Sequence, residues 1–343
     1  MQYPASMKQH WHNLDGLRGV LALLVVLLHF GASSFLERKL HIPPLPLALA
    51  VDVFFLLSGF VLSHSLRIHH SFAQFAIKRA FRLLPVYYVV TLPSWFVAPQ
   101  PLPPLWSEIL IAGPFLGREP LVRSAWSICF ELYLPVLAVL LPLSVKRPLV
   151  PWLLGATLVG LGACDYFVAQ GASLYAVRAC LGLAGGHLLY RWQPQVPIGF
   201  DVAGLQVFAL IVATGFWHAL AFILPVAVCV AILAGVRGGK LFAIRPVQWL
   251  AGISYTLYMV HIPVLFGMQH WLGSRVDQNP GLKLLGIGMS IPLAAALSFA
   301  VERPAMRFGA RLVTGSRENQ PGGPHVTSTA PSLSAPDLGM TLP

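Results

Sequence analysis

The sequence predicts an all-α integral membrane protein that crosses the bilayer about ten times, with both termini in the cytoplasm. Of the 343 residues, 56% are hydrophobic and only 10% are charged, whereas a soluble domain carries about 25% charged residues. Apolar stretches close to the roughly 20 residues that span a bilayer recur from residue 14 to about residue 305. Together with a mean hydropathy of +0.71, this pattern excludes a soluble globular enzyme.

These stretches are predicted to be helices, because a helix satisfies its own backbone hydrogen bonds in hydrocarbon and the alternation of a β-barrel is weak. Ten hydrophobic segments follow one another, at approximately 14–34, 46–66, 77–98, 126–144, 149–168, 172–190, 198–215, 217–236, 247–271 and 282–305. The proline-rich stretch 99–125 predicts a longer loop with a short re-entrant or interfacial piece.

Loop charge predicts the orientation. With the N-terminus in the cytoplasm, most of the 23 Lys and Arg residues fall on the inner side, as the positive-inside rule requires. The minority assigned to the outer segments includes Arg118, Arg123 and Arg178. Residues 314–343 are rich in Ser, Thr, Pro and Gly, so we predict a transmembrane domain over 1–313 and a disordered cytoplasmic tail over 314–343.

The net charge of +11 would suggest a nucleic-acid partner in a soluble protein. Here it is attributed to the cytoplasmic loops, and no nucleic acid is expected. The four cysteines lie scattered in apolar segments without CxxC spacing. We interpret them as buried thiols and predict no metal site.

The first segment carries two polar residues that the membrane should disfavour, Arg18 and His29. They are eleven residues apart, about three helical turns and roughly 16 Å, so they share a face. Arg18 is then expected near the cytoplasmic surface, and His29 near mid-membrane or beyond, as a candidate general base. The alternatives are a snorkelling anchor for Arg18 and a hydrogen-bonded core histidine for His29.

The second and third segments contribute further candidates. Asp52 begins the second segment, where a helix cap is the alternative to a functional role. Ser58 and Gly59 predict close helix packing. Arg79 and Arg82 lie three residues apart on one face at the cytoplasmic start of the third segment, a pattern that suits phosphate groups. A topogenic or lipid-headgroup cluster is the alternative.

The fourth and ninth segments carry the last candidates. Glu131 lies five residues into an apolar helix, where an unpaired carboxylate is costly. It either orients the catalytic histidine or is the structural partner of Arg79 or Arg82. Tyr258 and His261 share a face of the ninth segment. An interfacial position is the alternative for the tyrosine, and His261 is expected to be a hydrogen-bond partner rather than the base.

In this order, the five stretches resemble acyltransferase family 3, a family of membrane O-acyltransferases. The resemblance covers residues 14 to about 308. The family's motifs fall on Arg18 and His29; on Phe54–Phe60, preceded by Asp52; on Arg79 and Arg82; on Trp126, Ser127 and Glu131; and on Ser254, Tyr255, Tyr258 and His261. Leu132 departs from the pattern, because a second acidic or polar residue is common there.

The resemblance implies transfer of an acyl group, expected to be acetyl, from cytoplasmic acyl-CoA to a hydroxyl of a carbohydrate or glycosylated acceptor in a bacterial cytoplasmic (inner) membrane. It implies His29, Arg18 and Glu131 as catalytic residues. It implies Arg79 and Arg82, with Arg18, as the residues that hold the CoA phosphates. The residues implied to bind substrate are Asp52, Trp126, Ser127, Tyr258 and His261.

Three other functions compete with this prediction. A proton-coupled secondary transporter would also use intramembrane His, Glu and Arg, although the sequence shows no inverted repeat. A lipid-linked glycosyltransferase would present an acidic metal site, and no Asp-x-Asp occurs in the sequence. A non-catalytic membrane sensor is the third alternative.

Overall fold

The computed structural model describes residues 11–31, 37, 41, 43, 45–68, 71–98, 101–140, 146–170 and 174–318. Across these residues the regular structure is helical and no strand is present, which confirms the all-α prediction. The helices are α1 (His12–His29), α2 (Ala50–Ile68), α3 (Phe72–Ser94), α4 (Leu105–Ile109), α5 (Trp126–Leu140), α6 (Val150–Ala169), α7 (Tyr175–Trp192), α8 (Phe200–Thr214), α9 (Leu224–Gly235), α10 (Arg245–Gly252), α11 (Ser254–Leu272), α12 (Arg275–Gln278), α13 (Pro280–Leu297) and α14 (Arg303–Glu318).

The outer surface of the bundle is apolar, as a surface in contact with lipid must be. Many large apolar side chains are exposed, in addition to those in the core, and Phe96, Trp152, Trp271 and Phe299 are among the most exposed. Soluble monomers rarely expose apolar patches of such extent. The helices and their apolar exterior therefore support an integral membrane protein.

Length and apolar composition identify four candidate membrane spans among the described residues, and five if one bent pair is a single span. The four are His12–His29, Leu47–Arg67, Arg147–Ala169 and Pro280–Val313. Helices α8 and α9 are apolar but shorter, and α3 carries three basic residues in its first half. The predicted ten spans and cytoplasmic termini stay predictions.

The predicted ninth segment is broken rather than continuous. Helices α10 and α11 meet at a bend of 65° around Ile253. The hydroxyl of Ser254 donates to the carbonyl of Ala251 (2.8 Å), and so satisfies a carbonyl that the end of α10 leaves free. At the other end of the chain, α14 continues to Glu318, and residues 319–343 of the predicted tail lie outside the described residues.

Helices α2 and α7 pack with their backbones in close approach. A Cβ atom at Gly59 would overlap the carbonyl of Leu183, and one at Gly186 would overlap the carbonyl of Leu56. A Cβ atom at Gly182 would overlap the Cβ of Phe55. Gly182 and Gly186 are four residues apart, so α7 presents a GxxxG face to α2. This contact confirms the close packing predicted at Gly59.

The start of α1 and the ends of α2 and α7 meet at one end of the bundle, which we call the basic end. The ring of Trp11 packs against those of Phe60 (5.4 Å between centroids) and His64 (4.7 Å). The amide of Gln248 on α10 donates to the carbonyl of His12 (2.7 Å). Arg18 lies on α1 two turns from this end.

The segment between α3 and α5, predicted as a longer loop with a short re-entrant or interfacial piece, contains the short helix α4. Three tyrosines hold it by hydrogen bonds to backbone carbonyls: Tyr87 to Glu108 (3.1 Å), Tyr88 to Ile109 (2.7 Å) and Tyr133 to Leu110 (2.5 Å). The segment is therefore fixed to both neighbouring helices.

Candidate active site

A cavity opens between α1, α2, α3, α5 and α11. Its lining brings together residues from all five motifs predicted from the sequence, although these motifs lie far apart along the chain. The lining residues that carry polar groups are Arg18, Ser58, Arg79, Arg82, Ser127, Glu131, Ser254, Tyr255 and Tyr258. Apolar residues such as Phe54 and Leu83 complete the wall.

Glu131 is held by α2 and α3 together. Its carboxylate lies 3.2 Å from Nη2 of Arg79 and accepts a hydrogen bond from the hydroxyl of Ser58 (3.0 Å). Arg79 Nε also donates to the backbone carbonyl of Glu131 (2.6 Å). The geometry thus matches the alternative of a structural partner to Arg79 and places Glu131 beside an arginine. His29 is instead in hydrogen-bond contact with the Val25 carbonyl and His261.

The other two guanidinium groups of the cavity, those of Arg18 and Arg82, are held less closely by carboxylates than that of Arg79. Arg18 lies 3.6 Å from Asp15 on its own helix, and among the described residues Arg82 has no ion pair. Three cations therefore face one cavity whose wall contains a single carboxylate, Glu131. Such an excess of guanidinium forks suits an anion with several phosphate oxygens.

Two hydroxyls meet farther along the cavity wall. Ser127 Oγ and Tyr258 Oη lie 3.0 Å apart, joining the start of α5 to α11. One of them donates to the other, which leaves the second hydrogen free for a ligand in the cavity. The hydroxyl of Tyr255 donates to the carbonyl of Leu83 (2.6 Å) and fixes α11 against α3.

His29 and His261 form a pair beside the cavity. His261 Nε2 lies 3.2 Å from His29 Nδ1, and the ring centroids are 4.9 Å apart. His261 is wholly buried, and His29 is partly buried. Within the part of the chain described, neither histidine lines the cavity. Tyr258, which does line it, has its ring 6.1 Å from that of His261.

Asp52 and Trp126 belong to a separate buried cluster at the opposite end of α2 from the basic end. Arg178 Nε donates to the carboxylate of Asp52 (2.8 Å), and Arg178 Nη2 donates to the carbonyl of Ala48 (3.0 Å). Trp126 lies under the Arg178 guanidinium (5.5 Å) and stacks on Tyr175 (4.5 Å). Asp52 is therefore an ion-pair partner rather than a helix cap, and neither it nor Trp126 lines the cavity.

This cluster shows the surroundings of Arg178, which the sequence analysis counted with the outer segments. Its side chain is only 3% exposed and bridges α7 to α2. Asp165 on α6 is likewise fully buried, and its carboxylate has no hydrogen-bond partner among the described residues. Both are charges inside apolar segments, so the argument that singled out Asp52 would also have found them.

The chain is similar to membrane proteins of one functional class. The sequence profile described as "Acyltransferase domain" matches residues 11–301. The chain is 25% identical to the "Putative membrane-bound transacylase BcsY" of Komagataeibacter xylinus, over 90% of this chain and 86% of the relative. It is 26% identical to "Acyltransferase MdmB" of Streptomyces mycarofaciens, over 86% of this chain and 92% of the relative. No solved structure matches the chain.

Proposed function

The chain belongs to acyltransferase family 3, and from that premise we propose that it transfers an acetyl group from acyl-CoA to a hydroxyl of a carbohydrate or glycosylated acceptor. The observation that carries this proposal is a cavity lined by three guanidinium groups and two adjoining hydroxyls, with an imidazole pair next to it. Each part of the cavity suits one part of the reaction.

The phosphates of the donor would bind at the guanidinium groups. Arg18 and Arg82 face the cavity, and Arg79 keeps donors beyond those it gives to Glu131. Arginine forks bind phosphate oxygens in pairs, which gives both affinity and orientation. With the phosphates held there, the acyl end of the donor points along the cavity toward Ser127 and Tyr258.

His29 would act as the base. It takes the proton of the acceptor hydroxyl, whose oxygen forms a bond to the thioester carbonyl carbon; the C–S bond then breaks, and the departing thiolate takes the proton from the imidazolium. Of the Ser127–Tyr258 pair, the hydroxyl whose hydrogen is not used within the pair would donate to the oxyanion that develops on the carbonyl oxygen. Because Tyr258 lies between the cavity and the histidines, the thioester must pass this side chain to reach His29.

We also propose that the basic end faces the cytoplasm, with about ten spans and both termini inside. The supply of acyl-CoA is cytoplasmic, and the positive-inside rule favours the same orientation for Arg18, Arg79 and Arg82. The protein would then lie in a bacterial inner membrane with its donor cavity open to the cytosol. The identity of the acceptor rests on the family alone.

The test is release of free CoA thiol from acetyl-CoA by the purified protein, with a glycolipid extract of the producing cells as acceptor. His29→Ala should lower the rate by about 10²–10⁴-fold, the usual contribution of a general base. His218→Ala is the matched control, because His218 is an exposed histidine at the start of a short 3-10 helix outside the site. Full activity in His29→Ala would contradict the assignment of the base. Proton-driven uptake of a solute by vesicles that contain the protein, without turnover of acetyl-CoA, would favour a transporter.

A further inference from the structure

The two histidines face each other because α1 and α11 pack along the same direction. Gly19 on α1 meets the backbone of Ala251 near the end of α10, and His29 at the end of α1 meets His261 on α11, ten residues later in the chain in both cases. The close approach at Gly19, where a Cβ would collide with Ala251, fixes the spacing of these chain segments. The imidazole pair is therefore set by helix packing.

Backbone carbonyls determine which ring nitrogens carry hydrogen. His261 Nδ1 lies 3.2 Å from the carbonyl of Leu257, and His29 Nδ1 lies 2.9 Å from the carbonyl of Val25. A carbonyl oxygen can only accept a hydrogen bond. Both Nδ1 atoms are therefore the protonated nitrogens, and both Nε2 atoms carry lone pairs in the neutral rings.

The opposite tautomers are disfavoured by the same contacts. If His261 Nε2 donated to His29 Nδ1, the lone pair of His29 Nδ1 would face the Val25 carbonyl, and that of His261 Nδ1 would face the Leu257 carbonyl. Two repulsive contacts would replace two hydrogen bonds. The Nδ1 hydrogen of His29 is thus shared between Val25 and His261, and His29 Nε2 has no hydrogen-bond partner among the residues described.

We propose that His261 is a positioning residue, which accepts a hydrogen bond from His29 Nδ1 and so leaves His29 Nε2 as the atom that takes the proton of the acceptor hydroxyl. This inference rests on the proposed function and refines it. The sequence analysis expected His261 to be a hydrogen-bond partner rather than the base, and the resemblance implied a substrate-binding residue. The inference follows the first expectation and names His29 as the residue to which His261 is hydrogen-bonded.

The chemistry favours such an acceptor. When His29 Nε2 takes a proton, the ring becomes a cation, and its Nδ1–H becomes a stronger donor. His261 Nε2 then accepts a charge-assisted hydrogen bond inside an apolar bundle, where an uncompensated charge is costly. The carboxylate of a Ser-His-Asp triad has the same position relative to its histidine. Here a buried neutral imidazole takes that position, so no second charge is buried.

The experiment compares His261→Leu with His261→Gln in the purified full-length protein. Leucine fills a similar volume but cannot accept a hydrogen bond, whereas a glutamine oxygen can replace the Nε2 acceptor. We expect His261→Leu to lower kcat by about 10–100-fold, with the KM for acetyl-CoA changed less than about twofold, because the arginines that hold the donor are untouched. His261→Gln should recover most of the lost kcat.

The role of His261 is overturned if His261→Leu keeps the wild-type kcat, or if His261→Gln is no more active than His261→Leu. If His29→Ala is inactive in the same assay, the proposed function still stands. An active His29→Ala removes both. If His261→Leu does not fold, the ¹⁵N chemical shifts of histidine-labelled wild-type protein decide: a protonated Nε2 on His29 contradicts the inference, and an unprotonated Nε2 supports it.

Discussion

The two arginines that the sequence pairs on one face of α3 have different surroundings in the structure. Arg79 makes two polar contacts with Glu131, one to its carboxylate and one to its backbone carbonyl, whereas Arg82 lines the cavity and has no ion pair among the described residues. A guanidinium that is already paired is less available to a phosphate than one that is not. Arg82 is therefore the better candidate for donor binding, and Arg79 for holding α3 against α5.

Arg82→Gln should raise the KM for acetyl-CoA by about 10–100-fold, because a hydrogen bond to a charged group contributes about 1.5–3 kcal/mol. Its melting temperature in detergent should stay close to that of the wild type. Arg79→Gln is the matched variant and should lower the melting temperature, because it leaves the half-buried Glu131 carboxylate without its cation. An unchanged KM in Arg82→Gln would reassign that arginine to lipid or topology.

At the scale of the element, the close packing of α2 and α7 sets the geometry of a buried ion pair. Asp52 on α2 meets Arg178 on α7. This contact depends on the distance between the two helices, which Gly59, Gly182 and Gly186 allow to be short. Helix α2 also carries Ser58, which reaches Glu131 on α5 in the cavity wall.

Gly186→Ala should destabilise the protein by about 1–3 kcal/mol, because its added Cβ would overlap the Leu56 carbonyl and push the helices apart. Gly155→Ala on α6 is the control, because nothing lies within 4 Å of its added Cβ. Since alanine has the higher helix propensity, this change should leave the free energy of unfolding unaltered or raise it by up to about 1 kcal/mol. Thermal unfolding of both variants in detergent measures the difference. Equal melting temperatures would show that the close approach is not needed for stability.

At the scale of the whole molecule, the orientation of the bundle decides which compartment supplies the donor. The three cavity arginines and the exposed Lys240 lie toward the basic end, while α11 ends at Leu272 on the far side of the bundle, next to the exposed Ser274. Donor binding from the cytosol requires the basic end to be inside.

Single cysteines test this orientation in a background where the four native cysteines are replaced by serine. Ser274→Cys should react with a membrane-impermeant maleimide in cells with an intact inner membrane, because its turn is expected to face outward. Lys240→Cys should react only after the membrane is permeabilised. The reverse pattern would place the arginine cavity on the outer face and contradict cytoplasmic acyl-CoA as its donor.

Hydropathy and motif spacing predicted much of this protein, because both depend on residues close together in the chain. The apolar segments predicted helices, and most of them are present within a few residues of their expected bounds. The spacing of Arg18 and His29 predicted a shared helix. A local signal could not reveal the bend at Ile253, which depends on the packing around α10 and α11.

The sequence by itself determined the lipid-facing helices, the family and the residue types at the site. Only the tertiary structure decided which polar groups are partners: Glu131 with Arg79, Asp52 with Arg178, and His29 with His261. These partners are 52, 126 and 232 positions apart in the chain. A charge inside an apolar helix requires a partner, but its own sequence cannot say which of several distant helices supplies it, because packing alone sets that distance.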